Sequence, residues 1–117
     1  MSKKVKSFTS LEQSKKLADI LPVESADMIY LYWKNRTRQT GIDTIPIIRE
    51  SLPIKKCDIP CWSLAALLDV LPNYETNNFG DSIQLAVKNK ALVTDEGETL
   101  LDLVVNMIIY LHELNLL

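Results

Sequence analysis

Two proline stops constrain this chain more than any other feature. Leu17-Ala18-Asp19-Ile20-Leu21-Pro22 returns fifty positions later as Leu67-Leu68-Asp69-Val70-Leu71-Pro72. Proline has no N–H to give a helix interior and disfavours α geometry in the residue before it, so each Leu-Pro closes an apolar helical run. A polar stretch follows each stop and leads into a strand-like run. The echo predicts a helix–strand–strand unit used twice. The halves would superpose by a pseudo-two-fold, with Leu17, Leu21 and Pro22 overlaying Leu67, Leu71 and Pro72.

Around these stops the elements follow. Residues 1–9 are polar and basic and read as a flexible N-terminal arm ahead of one α+β domain, 10–117. Ser10-Leu11-Glu12-Gln13 is a capping box, which starts a first helix running to about Ile20. Met28 to Trp33 is aromatic and apolar without caps, hence a strand; alternation sends Ile29, Leu31 and Trp33 inward and Met28, Tyr30 and Tyr32 outward. A second strand near Thr44 to Arg49 contains Pro46, which places it at an edge or on a bulge. Pro60 suits the first turn of a second helix, and Trp62 to Leu71 is apolar almost all round. Asn73 to Asp81 reads as turns. Ser82 to Lys88 alternates, with Ile83, Leu85 and Val87 inward, and Asn89-Lys90 is a hairpin turn into Ala91–Thr94. A last helix from Thr99 carries one polar stripe of Thr99, Asp102, Asn106, Tyr110 and Glu113. The expected fold is an antiparallel four-stranded sheet with three helices on one face, in the order α-β-β-α-β-β-α.

Composition narrows the function classes. At 117 residues, 47% hydrophobic and 24% charged, the chain can build one core and is neither disordered nor fibrous. Its opening residues lack the apolar core of a secretory signal. Leu100 to Leu111 is interrupted by Asp102 and Asn106 and is too short to span a bilayer, so no membrane role and a cytoplasmic location are expected. With three glycines there is no phosphate-cradling loop and no nucleophile elbow. Cys57 and Cys61 have one histidine, His112, to accompany them, which is too few ligands for zinc. Asp95, Glu96, Glu98 and Asp102 lack the spacing of a calcium loop and suit a helix N-terminus instead. We therefore expect no catalytic set, no metal and no cofactor.

Three features could bind. Continued past Trp33, the outward parity of the first strand reads Tyr30, Tyr32, Lys34, Arg36 and Arg38, aromatics and then cations suited to stacking bases and meeting phosphates, or to an acidic protein. Trp62 shares a helix side with Ala65, Ala66 and Asp69, a surface on which a partner could dock. The last helix is apolar over about two-thirds of its circumference, more than one buried face requires. Charge is uneven as well: residues 1–56 hold eleven Lys/Arg against six Asp/Glu, and residues 57–117 hold two against nine. A dimer would let the two halves face one another.

Ile59-Pro60-Cys61-Trp62-Ser63-Leu64, with Leu67-Leu68 and Leu71-Pro72, and the closing Asn106-Met107-Ile108-Ile109-Tyr110-Leu111-His112-Glu113 resemble small uncharacterised proteins encoded by Bacteroidetes and by their phages and mobile elements. The resemblance implies an accessory protein and carries no activity or functional residue. The sequence thus points to a non-enzymatic interaction protein with a protein partner or a second copy of itself. A single-stranded nucleic-acid module on the tyrosine row, and a small enzyme around His112, stand as alternatives.

Overall fold

The computed structural model describes residues 7–34, 40–42, 45–48, 58–95 and 98–117. Three α-helices, α1 (Leu11–Ala18), α2 (Leu64–Val70) and α3 (Leu100–Glu113), each begin on a hydroxyl cap. Ser10 Oγ accepts from Gln13 N while Gln13 Oε1 accepts from Ser10 N, so two amides with no partner inside the helix are satisfied together. Thr99 and Asp102 repeat the device on α3. Ser63 caps α2 through Ala66 N.

The helix start expected at Pro60 lies four residues too early. Pro60 sits in a strand, β5 (Ile59–Cys61), at the edge of its sheet, where a missing N–H can be tolerated.

The expected single four-stranded sheet is not what forms among the described residues. Strands β1 (Met28–Tyr30), β2 (Tyr32–Lys34), β3 (Thr40–Ile42), β4 (Ile47–Ile48) and β5 all precede α2. β1 is central, between β4 and β5, and β2 pairs only with β3, antiparallel throughout. Four residues separate Ile42 from Ile47, but only two separate Ile29 from Tyr32. The ladder therefore slips by two across a stretch containing Pro46. Of the two places open to that proline, the edge is the one seen: Pro46 immediately precedes β4, an outer strand of its sheet among the described residues.

After α2 comes a meander, β6 (Tyr74–Phe79), β7 (Ser82–Val87) and β8 (Lys90–Val93). The stretch expected as turns is thus mostly β6, and only Gly80-Asp81 turns. Gly80 takes φ +65 at the position that a type II′ hairpin reserves for glycine. The second hairpin turns on Lys88 and Asn89, at φ 49 and 67, one residue earlier than expected; two positive φ values define a type I′ turn.

The core gathers on α3. Leu101, Leu103, Val104, Val105, Met107, Ile108 and Leu111 are buried against α1, α2, β7 and β8. This packing accounts for the helix being apolar over so much of its circumference, without a second copy. Leu85 and Val87 point inward as expected. The Leu-Pro echo holds locally, since Leu17 and Leu67 are fully buried and Leu21 and Leu71 match at 7% exposure. It does not extend to the sheets: the strand after Pro22 is central, and the strand after Pro72 is an edge. Residues 7–9 belong to the domain rather than to a flexible arm. Phe8 bridges Ser63, Leu64 N donates to Ser7 O, and Thr9 N donates to Trp62 O at 2.9 Å.

Candidate functional site

Among the described residues the tyrosine end of the row is interrupted. A period of two requires one continuous strand, and here the strand is broken at Leu31, where the partner changes from β4 and β5 to β3. Tyr30 is 2% exposed and its hydroxyl donates to Thr9 O at 2.8 Å, so it cannot stack a base. Tyr32 stays on the surface, its amide donating to Asp58 Oδ1. Lys34 is the last residue of β2, opposite Thr40. Arg36 and Arg38 lie outside the described residues. Trp62 is fully buried with Nε1 donating to Ser25 Oγ at 2.9 Å, which removes it from any docking surface.

An open depression of about 380 Å³ lies between the 3₁₀ turn Val23–Ser25 and α2, lined in part by Glu24, Asp27, Ala65 and Asp69 and not by Trp62. Asp27 is occupied there, accepting from both the backbone N–H and the hydroxyl of Ser63.

Beneath the N-terminal segment is a buried polar cluster that the sequence reading missed. Cys61 and Tyr30 share a sheet face, because Met28 pairs with Cys61 and Tyr30 lies two residues from Met28. Thr9 and Ser14 close over them. Thr9 Oγ1 meets Ser14 Oγ at 2.7 Å and Cys61 Sγ at 3.4 Å, and accepts from Trp62 N at 3.1 Å. Burial pushes the Cys61 thiol up from its ordinary pKa, more than hydrogen bonds with Thr9, Ser14 and Tyr30 lower it, and Asp27 adds to the rise. A thiol held protonated in this way is a structural group rather than an activated nucleophile. His112 is exposed near the end of α3, and Cys57 lies outside the described residues, so the cysteine–histidine pair is not assembled from what is described.

Of the acids at the start of α3, Asp102 caps the helix, Glu98 is engaged beside it, and Glu96 lies outside the described residues. Glu98 Oε1 accepts from Asp95 N, Glu98 Oε2 from Asn106 Nδ2, and Asp102 Oδ2 from Thr99 N. Among the described residues no three His, Cys, Asp or Glu side chains could hold a metal together.

Exposed apolar surface concentrates on strand edges. Ile45 is 72% exposed, Ile48 69% and Ile47 40%, while Pro46 among them is buried. Neighbouring edges are better guarded: residues 7–9 hydrogen-bond beside the end of β5, and β8 begins with a lysine, Lys90. The run Ile45-Pro46-Ile47-Ile48 was the available signal, since β-branched residues beside a proline mark an edge. Its exposure could not be read without knowing which strands pair. No family model, curated protein or solved structure matches the chain.

Proposed function

We propose that this protein is an interaction module that receives an extended segment of a partner protein as an added strand beside β4. The uncovered isoleucines of that edge carry the reading. An edge strand presents unpaired N–H and C=O groups, and most proteins blunt such edges with charge, proline or a cover. Here Pro46 shortens the edge, but Ile45 and Ile48 keep about two-thirds or more of their surface open. Main-chain bonds to an added strand would supply affinity, and side-chain contacts would supply selectivity. Fully burying one isoleucine is worth about 1.5–3 kcal/mol, so covering two is enough for a weak, reversible contact. Residues 34–56 hold six Lys/Arg against two Asp/Glu, which favours an acidic partner segment.

The test is an acetylated, amidated hexapeptide alternating glutamate and valine, titrated against isotope-labelled protein. The amide signals of Ile47 and Ile48 should move, and the movement should be lost in Ile48→Asp, which removes apolar contact and adds like charge. Unmoved signals at about 1 mM peptide, where even weak binders occupy their sites, would end the reading. A single-stranded nucleic acid on the same hairpin is the weaker alternative, because Tyr30 is withdrawn from its stacking platform.

A further inference from the structure

The acidic half of the chain contains a strand suited to the β4 edge. β6 borders the meander on one side, and all six of its residues are exposed, including Tyr74 at 41% and Phe79 at 61%. Tyr74, Thr76 and Asn78 stand opposite the inward-facing Val87, Leu85 and Ile83, on the side of the sheet that meets the core, yet they remain open to solvent. No proline, lysine or arginine guards this strand. In a hairpin closed by a two-residue loop the residues flanking the loop, Phe79 and Ser82, form a hydrogen-bonded pair. By the alternation of an antiparallel ladder, Tyr74, Thr76 and Asn78 then turn their N–H and C=O groups to the open side.

Charge separates the two edges. From Cys57 to Val87 the chain carries Asp58, Asp69, Glu75 and Asp81 and not one Lys or Arg, whereas the sequence on either side of β4 is strongly basic. Pairing β4 with β4 about a two-fold would bring like charge together. Pairing β4 with β6 brings opposite charge together, and sets isoleucines beside Tyr74 and Phe79, a cross-strand combination that sheets favour.

We infer that the strand added to β4 is β6 of a second copy of this chain. This rests on the strand-addition reading above and names its partner. The contact is head-to-tail: each copy that gives its β6 keeps a free β4, and each that accepts on β4 keeps a free β6, so assembly continues into a ring or an open filament.

Mass photometry and sedimentation velocity on three proteins test it. The mass of the wild-type protein should rise with concentration at about 50 mM salt and fall towards the monomer at about 1 M, where the screening length is only about 3 Å. Ile45→Asp/Ile48→Asp blocks the β4 edge, and Thr76→Pro removes an outward donor from β6 without touching the β7 ladder. Each variant alone should be monomeric. Mixed in equal amounts, they should form a one-to-one dimer that grows no further, because each supplies the edge the other lacks. If Thr76→Pro loses its fold by circular dichroism, Glu75→Lys/Asp81→Lys takes its place and sets like charge against the basic edge. Dimers of Thr76→Pro alone would overturn the inference in favour of two-fold pairing. Mixed variants that stay monomeric while the wild-type protein assembles would overturn it by placing the contact elsewhere. A wild-type protein monomeric up to about 1 mM would also overturn it. In that last case the peptide titration separates the two ideas: shifted Ile47 and Ile48 signals leave strand addition standing with another partner, and unshifted ones remove both.

Discussion

Thr9 uses its hydroxyl towards Ser14, Trp62 N and Cys61, and its carbonyl accepts from the hydroxyl of Tyr30. Every polar atom of this buried cluster therefore has a partner, which is what makes it tolerable in the core. Tyr30→Phe should cost about 0.5–1.5 kcal/mol at neutral pH, the net worth of an ordinary hydrogen bond. Its pH dependence is more diagnostic. The Tyr30 hydroxyl is pushed up to about 12, first by burial and then by Cys61 beside it, against an ordinary value of 10.0. The unfolded chain therefore ionises first as the solution turns alkaline. The stability that depends on a neutral Tyr30 is complete below about pH 10 and is lost between about 10 and 12. Cys61, raised from 9.0, acts in the same direction and remains in the variant. Urea denaturation of both proteins from pH 8 upward should find the gap between them narrowing above pH 10. Parallel curves would mean that Tyr30 ionises in the folded protein as it does in the unfolded one.

Among the elements, the starts of the first and last helices were legible, and the start of the second and the strand pairings were not. Ser10 with Gln13 could be read as a cap because the signal lies within four residues, and Thr99 with Asp102 likewise. Tyr30 was misread because parity says which residues share a face and nothing about what covers that face. Covering it took Thr9, twenty-one residues away in sequence. Pro60 was misread because one proline suits both a first helical turn and an edge strand, and only the chain beside it decides. Nor did the sequence announce that the two capping boxes are joined. Gln13 Oε1 caps its own helix, and Gln13 Nε2 donates at 2.8 Å to Asp102 Oδ1, whose other oxygen caps α3. Gln13→Glu keeps the local cap but turns this contact into two facing carboxylates. A loss of about 1–3 kcal/mol at pH 7 is expected, on the scale of a hydrogen bond to a charged group left unmade. Repulsion raises the folded-state pKa of the facing pair, so relative to the wild-type protein the variant should regain stability as pH falls through the carboxylate range. Chemical denaturation at pH 7 and at about pH 4 checks both signs. A deficit unchanged between them would mean that the side chains simply swing apart.

For the whole molecule, the sequence carried the charge asymmetry and the central place of α3, since both are properties of long segments. The division into separate sheets was hidden, because β1 draws one partner from β4 and the other from β5, and no local pattern records a choice among distant strands. The open edges were hidden for the same reason. The join between Gln13 and Asp102 has a consequence in time. It spans 89 residues of chain, and one of its members lies in the final helix. During synthesis α1 emerges with its own cap but without that outer partner, and the 89 residues that separate Gln13 from Asp102 must be made before the two helix starts can meet. Closing so long a loop is entropically costly until other contacts hold its ends together, so the join belongs to the late, native side of the folding barrier. Gln13→Ala should then leave the refolding rate almost unchanged and speed unfolding by nearly the full factor that its stability loss implies, a partition that stopped-flow chevrons read directly. The join works as a latch: it does little to bring the fold together and much to decide how long it stays closed.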